Sequence, residues 1–276
     1  MRLSIRSALI TAAAVCAVST SAFAGSHASC PVQGGTLKYG VKAEPPSYDM
    51  HATNSYAVMH FVAQHYSTLL TFDWKNFPKL EGDLAESWSM SDDGLSYTFK
   101  LHKGVKFHDG TPFTSEDVKA SYERLRNPPE GVTSVRKALF ASISSIETPD
   151  DHTVVFKLSS PDAFMMDGFA SPFNAIYSAK DLAADPTFPV KNVNGTGPYK
   201  LDEHVKGEAY KAVRYDDFHH GDNCLDGTVG YRIKGIVEPM VGGQIMAEWR
   251  GVAPPERKSL EEQMGDDITF QEKQLM

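Results

Sequence analysis

The sequence predicts a mixed α+β protein in which hairpins and helices are interspersed rather than strictly alternating as β-α-β units. Three observations carry this. Residues 84–101 alternate apolar and polar positions about Asp93-Gly94. Residues 55–72 repeat apolar side chains at helical spacing. Residues 114–125 pair a helix-start signal with an i, i+4, i+7 apolar stripe. At 276 residues, 41% hydrophobic and 22% charged, the chain has the composition of a globular protein with one large domain or two smaller ones.

The elements follow in order. Gly34-Gly35 precedes a strand over 36–41, and Pro45-Pro46 forbids its continuation, so the chain turns there. Val58, Phe61, Val62, His65 or Tyr66, and Leu69 then give one face of a helix across 55–72. The 84–101 hairpin puts Trp88, Tyr97 and Phe99 toward a core, and Val105 and Phe107 read as a further short strand. Asp109-Gly110 is a turn. Thr114 with Asp117 forms a capping box, and Val118, Tyr122 and Leu125 form the buried stripe of a helix ended by Asn127-Pro128-Pro129. Ile143 and Ile146 lead through Pro149-Asp150-Asp151 into a strand over 153–158. Met165, Met166 and Phe169 suggest a helix. Strands are expected at Tyr199-Lys200-Leu201 and, after Asp226-Gly227, through Tyr231 and Ile233.

The N-terminus reads as an export signal. Arg2 and Arg6 precede an apolar run from Ala8 to Val18 and the small-x-small triplet Ala22-Phe23-Ala24, with cleavage expected after Ala24. Neither Cys16 nor Cys30 has the flanking residues of a lipoprotein signal. Removing residues 1–24 takes the formal net charge from −8 to −10, a poor match for nucleic acid or anionic head groups. Cys30 and Cys224 remain, and an oxidising compartment permits a disulfide between them, the alternative being two separate thiols.

His108-Asp109, with Ser115 and Glu116 close behind, has the parts of a catalytic or metal site, but Asp-Gly is a turn dipeptide and Thr114/Asp117 a cap, so a scaffold reading stands. The ten histidines lack the i, i+4 helical spacing of a two-ligand face. Adjacent His219 and His220 would point apart on a strand. No metal ligands and no cofactor are expected. There is no Gly-x-Ser-x-Gly elbow, and Pro198 removes a donor from Gly195-Thr196-Gly197, which argues against a phosphate cradle. This pattern favours a binding protein over an enzyme.

Residues 84–125, LAESWSMSDDGLSYTFKLHKGVKFHDGTPFTSEDVKASYERL, closely resemble the signature of the extracytoplasmic solute-binding proteins of ABC transporters, in the peptide/nickel-binding family. GGTLKYGVKAEPPSYD at 34–49, PDDHTVVFKL at 149–158, NGTGPYKL at 194–201 and LDGTVGYRI at 225–233 extend the resemblance. It implies a periplasmic-binding-protein-like, two-lobed fold that closes on its ligand. Lobe I would take residues 25–70 and 190–255, and a small domain residues 71–189. The family's usual length implies that this is an N-terminal half, with residues 256–276 the start of a second lobe. The stretch from Gly242 to Gly251 departs from the family's small-helix pattern there.

The resemblance also implies a role. The chain would capture a peptide-like solute in the periplasm and deliver it to ABC permease subunits, as a monomer and without nucleic acid. Ligand contacts would fall on Glu44, Pro46, Ser47 and Tyr48 after the first strand, and on Asn54, Ser55 and Tyr56 at the next helix start. Alternatives keep the fold with a nickel or other metal complex, haem, an opine or an oligosaccharide as ligand, or place a hydrolase site in the missing half.

Overall fold

The computed structural model describes residues 36–41, 43–73, 76–220, 234–239 and 247–250. The export signal, Cys30 and Cys224, the expected strand through Tyr231 and Ile233, and residues 256–276 lie outside the described residues.

A five-stranded sheet has the order β11-β1-β10-β9-β8. β1 (Thr36–Val41) runs parallel to β10 (Lys234–Pro239), with Thr36 opposite Lys234, and antiparallel to β11 (Ala247–Arg250), with Thr36 opposite Arg250. β8 (Tyr199–Val205) and β9 (Ala209–Arg214) form a hairpin whose turn holds Gly207 at φ +80°, a region glycine enters without a Cβ clash. Against it packs α1 (Tyr56–Val62), N-capped by the Ser55 hydroxyl. Met50, Val58, Phe61, Val62, Tyr66, Tyr177 and Tyr210 make one buried cluster.

A second cluster lies under a four-stranded antiparallel sheet of order β4-β5-β7-β6. Its strands are β4 (Ala85–Met90), β5 (Ser96–Leu101), β6 (Ile143–Asp150) and β7 (Thr153–Leu158). Local chemistry builds it. Gly94 sits at φ +69° while Asp93 accepts from the Leu95 N–H at 3.0 Å, closing the first hairpin. Asp150 does the same for the second, accepting from the His152 N–H at 2.9 Å and the Thr153 hydroxyl at 2.8 Å. The inner pair β5–β7 has continuous register, whereas both outer pairs are interrupted by bulges. A short ribbon, β2 (Leu70–Phe72) with β3 (Leu80–Gly82), leads into this sheet.

Helix α2 (Ser115–Arg126) covers the sheet, burying Val118, Tyr122 and Leu125. Its start is as expected, because the Asp117 carboxylate accepts the Thr114 N–H at 2.7 Å. The other carboxylate oxygen accepts the Ala179 N–H at 2.7 Å, which ties on α4 (Ala179–Ala184). Tyr122 meets Phe140, Phe156 and Phe169, the last on α3 (Met165–Ala170), edge-on at 5.0–5.5 Å. Such pairs contribute roughly 0.5–1.5 kcal/mol each beyond burial.

Three local expectations need correction. The helix expected across 55–72 stops at Val62, followed by a 3-10 turn (Ala63–His65) and then β2. Tyr66 and Leu69 are buried as their spacing implied, but from extended backbone, because the buried His65 side chain is tied to β8 and β9. Trp88 is 36% exposed and Met90 57% exposed, on a strand that among the described residues is paired on one side only. Val105 and Phe107 are buried but belong to no strand; Lys106 makes a single bridge to Pro112.

Candidate functional site

Two prolines force the chain out of β1 into the loop 43–49, and this loop packs on the β8–β9 hairpin. The Tyr48 hydroxyl and His204 Nδ1 are hydrogen-bonded at 2.5 Å, and Glu44 lies 3.7 Å from His204 Nε2 and accepts the Gly207 N–H. Partial burial and the Glu44 charge raise the Tyr48 phenol above its ordinary pKa, so it stays a neutral donor. Ser47 accepts from the Asp49 N–H at 3.4 Å, and Pro46 is exposed. Glu44 and Tyr48 thus converge on one imidazole that sequence reasoning did not single out.

Directly behind the loop lies a buried polar network. The Arg124 guanidinium of α2 grips Asp49 through Nη2–Oδ2 at 2.6 Å and Nη1–Oδ1 at 3.1 Å. Asp49 also accepts the His51 N–H at 3.0 Å and the Tyr177 hydroxyl at 3.3 Å, and that hydroxyl oxygen accepts the Met50 N–H at 2.8 Å. His51 Nδ1 faces the Arg124 donor at 3.1 Å, so Nδ1 accepts and Nε2–H donates to the Ala175 carbonyl at 2.9 Å. Burial, then the Arg124 charge, push the His51 pKa down to about 3, and the ring is neutral. Every polar group here fixes the turn Met50–Ala52, which joins the two halves of the expected site.

The second half sits at the start of α1. Arg136 Nη2 donates to the Asn54 side-chain carbonyl at 2.7 Å and to the Thr53 carbonyl at 2.8 Å, while its guanidinium lies 4.4 Å from the Phe173 ring centre. Ser55 accepts the Ala57 N–H at 3.2 Å as the helix cap. Tyr56 is 67% exposed and leans on the His60 ring at 5.9 Å. Of the seven expected residues, Pro46, Asn54, Ser55 and Tyr56 face solvent; Glu44, Ser47 and Tyr48 are half-buried and bonded within the fold.

Gly195-Thr196-Gly197 forms a junction. The Gly197 N–H donates to the His65 carbonyl at 3.0 Å, and His108 bonds both glycines, through its N–H to the Gly195 carbonyl at 2.8 Å and its Nε2 to the Gly197 carbonyl at 2.9 Å. A Cβ on Gly195 would lie 1.9 Å from the His65 carbonyl oxygen, so only glycine fits. His108 lies in the expected turn and is also a buried strut: desolvation lowers its pKa to about 4, and it meets Tyr215 edge-on at 4.9 Å. A recess of about 380 Å³ nearby, lined by His108, Asp109, Asp181, Asn194 and Lys200, has its polar groups largely engaged with one another.

The expectation that His219 and His220 diverge fails. They occupy a turn rather than a strand, and both Nε2 atoms lie 3.2 Å from Asp83 Oδ1. Asp49, Arg124, Tyr177 and His204 were also missed. Their partners lie 75 to 156 residues away in the chain, and no local spacing signals such pairs.

The sequence profile described as "bacterial extracellular solute-binding proteins, family 5 Middle" matches residues 79–233. A Brucella ovis protein named for ABC-transporter peptide binding is 34% identical over 223 residues, spanning 76% of this chain and 41% of the relative. Among solved structures, the periplasmic binding protein AgaA of A. tumefaciens R10, in complex with agropinic acid, superposes with TM-score 0.66 at 30% identity, over 75% of this chain and 40% of that one. The oligopeptide-binding protein AppA of Bacillus subtilis, in complex with a nonapeptide, gives TM-score 0.66 at 28% identity, over 76% and 41%. The chain therefore spans about two-fifths of the length of these relatives, and the match is to part of a periplasmic-binding-protein fold. On the match over residues 79–233, the chain belongs to the bacterial extracellular solute-binding proteins of family 5.

Proposed function

We propose that the chain is part of the solute-capturing component of an ABC importer, working by enclosure of a peptide-like ligand rather than by covalent chemistry. The family match over 79–233 carries the reading, and the relatives' names, which describe binding and not turnover, support it. The signal-like residues 1–24 support export to the periplasm with cleavage after Ala24. Residues 25–70 and 190–255 form lobe I and residues 71–189 the small domain. The protein acts as a monomer beside its permease, and the oxidising compartment permits a disulfide between Cys30 and Cys224, with two separate thiols as the alternative; peptide mapping under non-reducing conditions separates the two.

The ligand face is Glu44 to Tyr56. Tyr56 offers an exposed ring for stacking. Glu44 offers a carboxylate to a cationic group, such as a peptide amino terminus, and the Gly207 N–H holds that carboxylate in place. The test is titration calorimetry of the purified protein with a peptide library, with Tyr56→Ala and Glu44→Gln in parallel. Binding that weakens about tenfold or more in either variant supports the reading; heats that no peptide produces, or that both variants leave unchanged, overturn it. A second reading rests on the 30% identity to the agropinic-acid complex, and takes agropinic acid or a similar solute as the ligand of the same face. Agropinic acid in the same titration separates the two.

A further inference from the structure

The corner between β3 and β4 carries a cluster outside the expected ligand face. Asp83 turns its Oδ2 to the Thr68 N–H at 2.8 Å, which fixes the carboxylate. Its Oδ1 points out of the corner and meets His219 Nε2 and His220 Nε2, each at 3.2 Å. The two rings lie 4.2 Å apart, centre to centre, and the His102 ring stands 6.0 Å from both. One ligand atom from each of Asp83, His219 and His220 falls within 4.8 Å of the other two. The side chains of His219 and Asp83 are 5% and 15% exposed, and His220 is 30% exposed, so the group is enclosed on one side and open on the other.

We propose that Asp83, His219 and His220 bind a divalent transition-metal ion, with zinc as the type ion, and that the ion clips the β3–β4 corner to the turn following β9. The donor set is right for such an ion: two imidazole nitrogens and one carboxylate oxygen suit zinc, copper or nickel, whereas calcium and magnesium take oxygen ligands. The spacing is right as well. Zinc bonds of about 2.0–2.1 Å in a tetrahedron hold ligand atoms roughly 3.3–3.4 Å apart, against the 3.2 Å found between Oδ1 and each nitrogen. An ion would take the place of the imidazole protons that face Oδ1, and His219 Nε2 would give up its contact with the Asp83 main-chain carbonyl at 3.2 Å. The fourth position goes to water, or to His102 after rotation of its ring. His219 Nδ1 is buried without a hydrogen-bond partner. Orienting partners of that kind are worth about 10–100-fold in affinity, so binding in the micromolar range is expected rather than tighter.

The test uses the purified chain without a histidine tag, stripped with EDTA and titrated with zinc sulfate. One equivalent bound with a micromolar Kd, and the intense visible absorption of a tetrahedral site on cobalt(II) addition, are the expected results. Asp83→Asn, His219→Gln and His220→Gln each weaken binding at least tenfold, while His60→Gln, on an exposed histidine elsewhere, leaves it unchanged. A melt in EDTA checks that each variant folds. In the unaltered protein, zinc should shield His219 and His220 from diethyl pyrocarbonate, read by peptide mass spectrometry, so the outcome does not depend on any variant. Absence of binding at millimolar zinc, binding that the three variants leave intact, or unshielded His219 and His220 would each overturn the proposal.

Discussion

Replacing Arg124 by methionine keeps an unbranched apolar stem and removes the guanidinium with its charge from a site where the Arg124 and Asp49 side chains are 3% and 2% exposed. Asp49 is left buried with the His51 N–H and the Tyr177 hydroxyl but without its cation. Removing one partner of a buried pair costs about 3–5 kcal/mol, because the other charge is left uncompensated. The loss is at the upper end here, since Arg124 also donates Nε to the Pro186 carbonyl at 3.2 Å and so fastens a second segment. For a chain of this size the melting midpoint should fall by roughly 6–20 °C. Differential scanning calorimetry on wild type, Arg124→Met, Asp49→Asn and the double variant gives the coupling energy directly. Each single variant should lose stability, and the double should recover part of the loss. Lys106→Met, which removes only the exposed pair with Asp217, should leave the midpoint in place. A loss below about 1 kcal/mol in Arg124→Met would refute the network's role in holding the 49–53 turn.

Acid should weaken the fold through its buried histidines. Burial lowers the pKa values of His51 and His65 to about 3 and of His108 to about 4, against 6.5 when unfolded. Below pH 6.5 the unfolded chain takes up protons that the native chain does not, so stability present above that value falls as the pH drops toward 4, by roughly 1–2 kcal/mol per histidine at pH 5. A urea midpoint at pH 5.0 equal to that at pH 7.5 would contradict this. Tyr122 is fully buried and its hydroxyl has no hydrogen-bond partner. Tyr122→Phe should therefore raise stability by about 1 kcal/mol, and a loss of that size in urea titration would show a hidden partner. Gly195→Ala drives a methyl into the His65 carbonyl and should cost about 3 kcal/mol. Gly104→Ala, at φ +76° with open space around it, should cost about 1 kcal/mol. Equal melting points for these two variants would remove the junction argument.

What could be read from the chain was local. Asp93-Gly94, Asp150-Asp151 and Thr114 with Asp117 fix turns and a cap through partners within four residues, and each forms where the sequence placed it. The stripe Val118, Tyr122, Leu125 is buried because a helix of 12 residues presents that face whatever it meets. What failed depended on distant partners. The 56–62 helix ends early because His65 is held by residues 134 and 145 positions away. Trp88 looked like core because alternation marks a face without saying whether anything covers it. The seven expected ligand residues were placed by family resemblance, and their spacing alone did not show that Tyr48 meets His204 or that Asn54 answers to Arg136. His219 and His220 were judged on strand geometry, and a turn reverses that judgement.

The bulges in the outer strands of the four-stranded sheet bear on how the protein behaves in a crowded compartment. Among the described residues β4 and β6 are each paired on one side only, and such a rim is the template on which a second chain adds itself. β4 also exposes Trp88 and Met90, which would reward such addition. The irregular register at Ala85/Ser87, the exposed Glu86 beside it, and the two breaks in β6 together with Pro149 keep either rim from presenting a flat ladder. Straightening β4, for instance by Glu86→Val, should leave the fold intact and promote polymerisation at high concentration, read by light scattering.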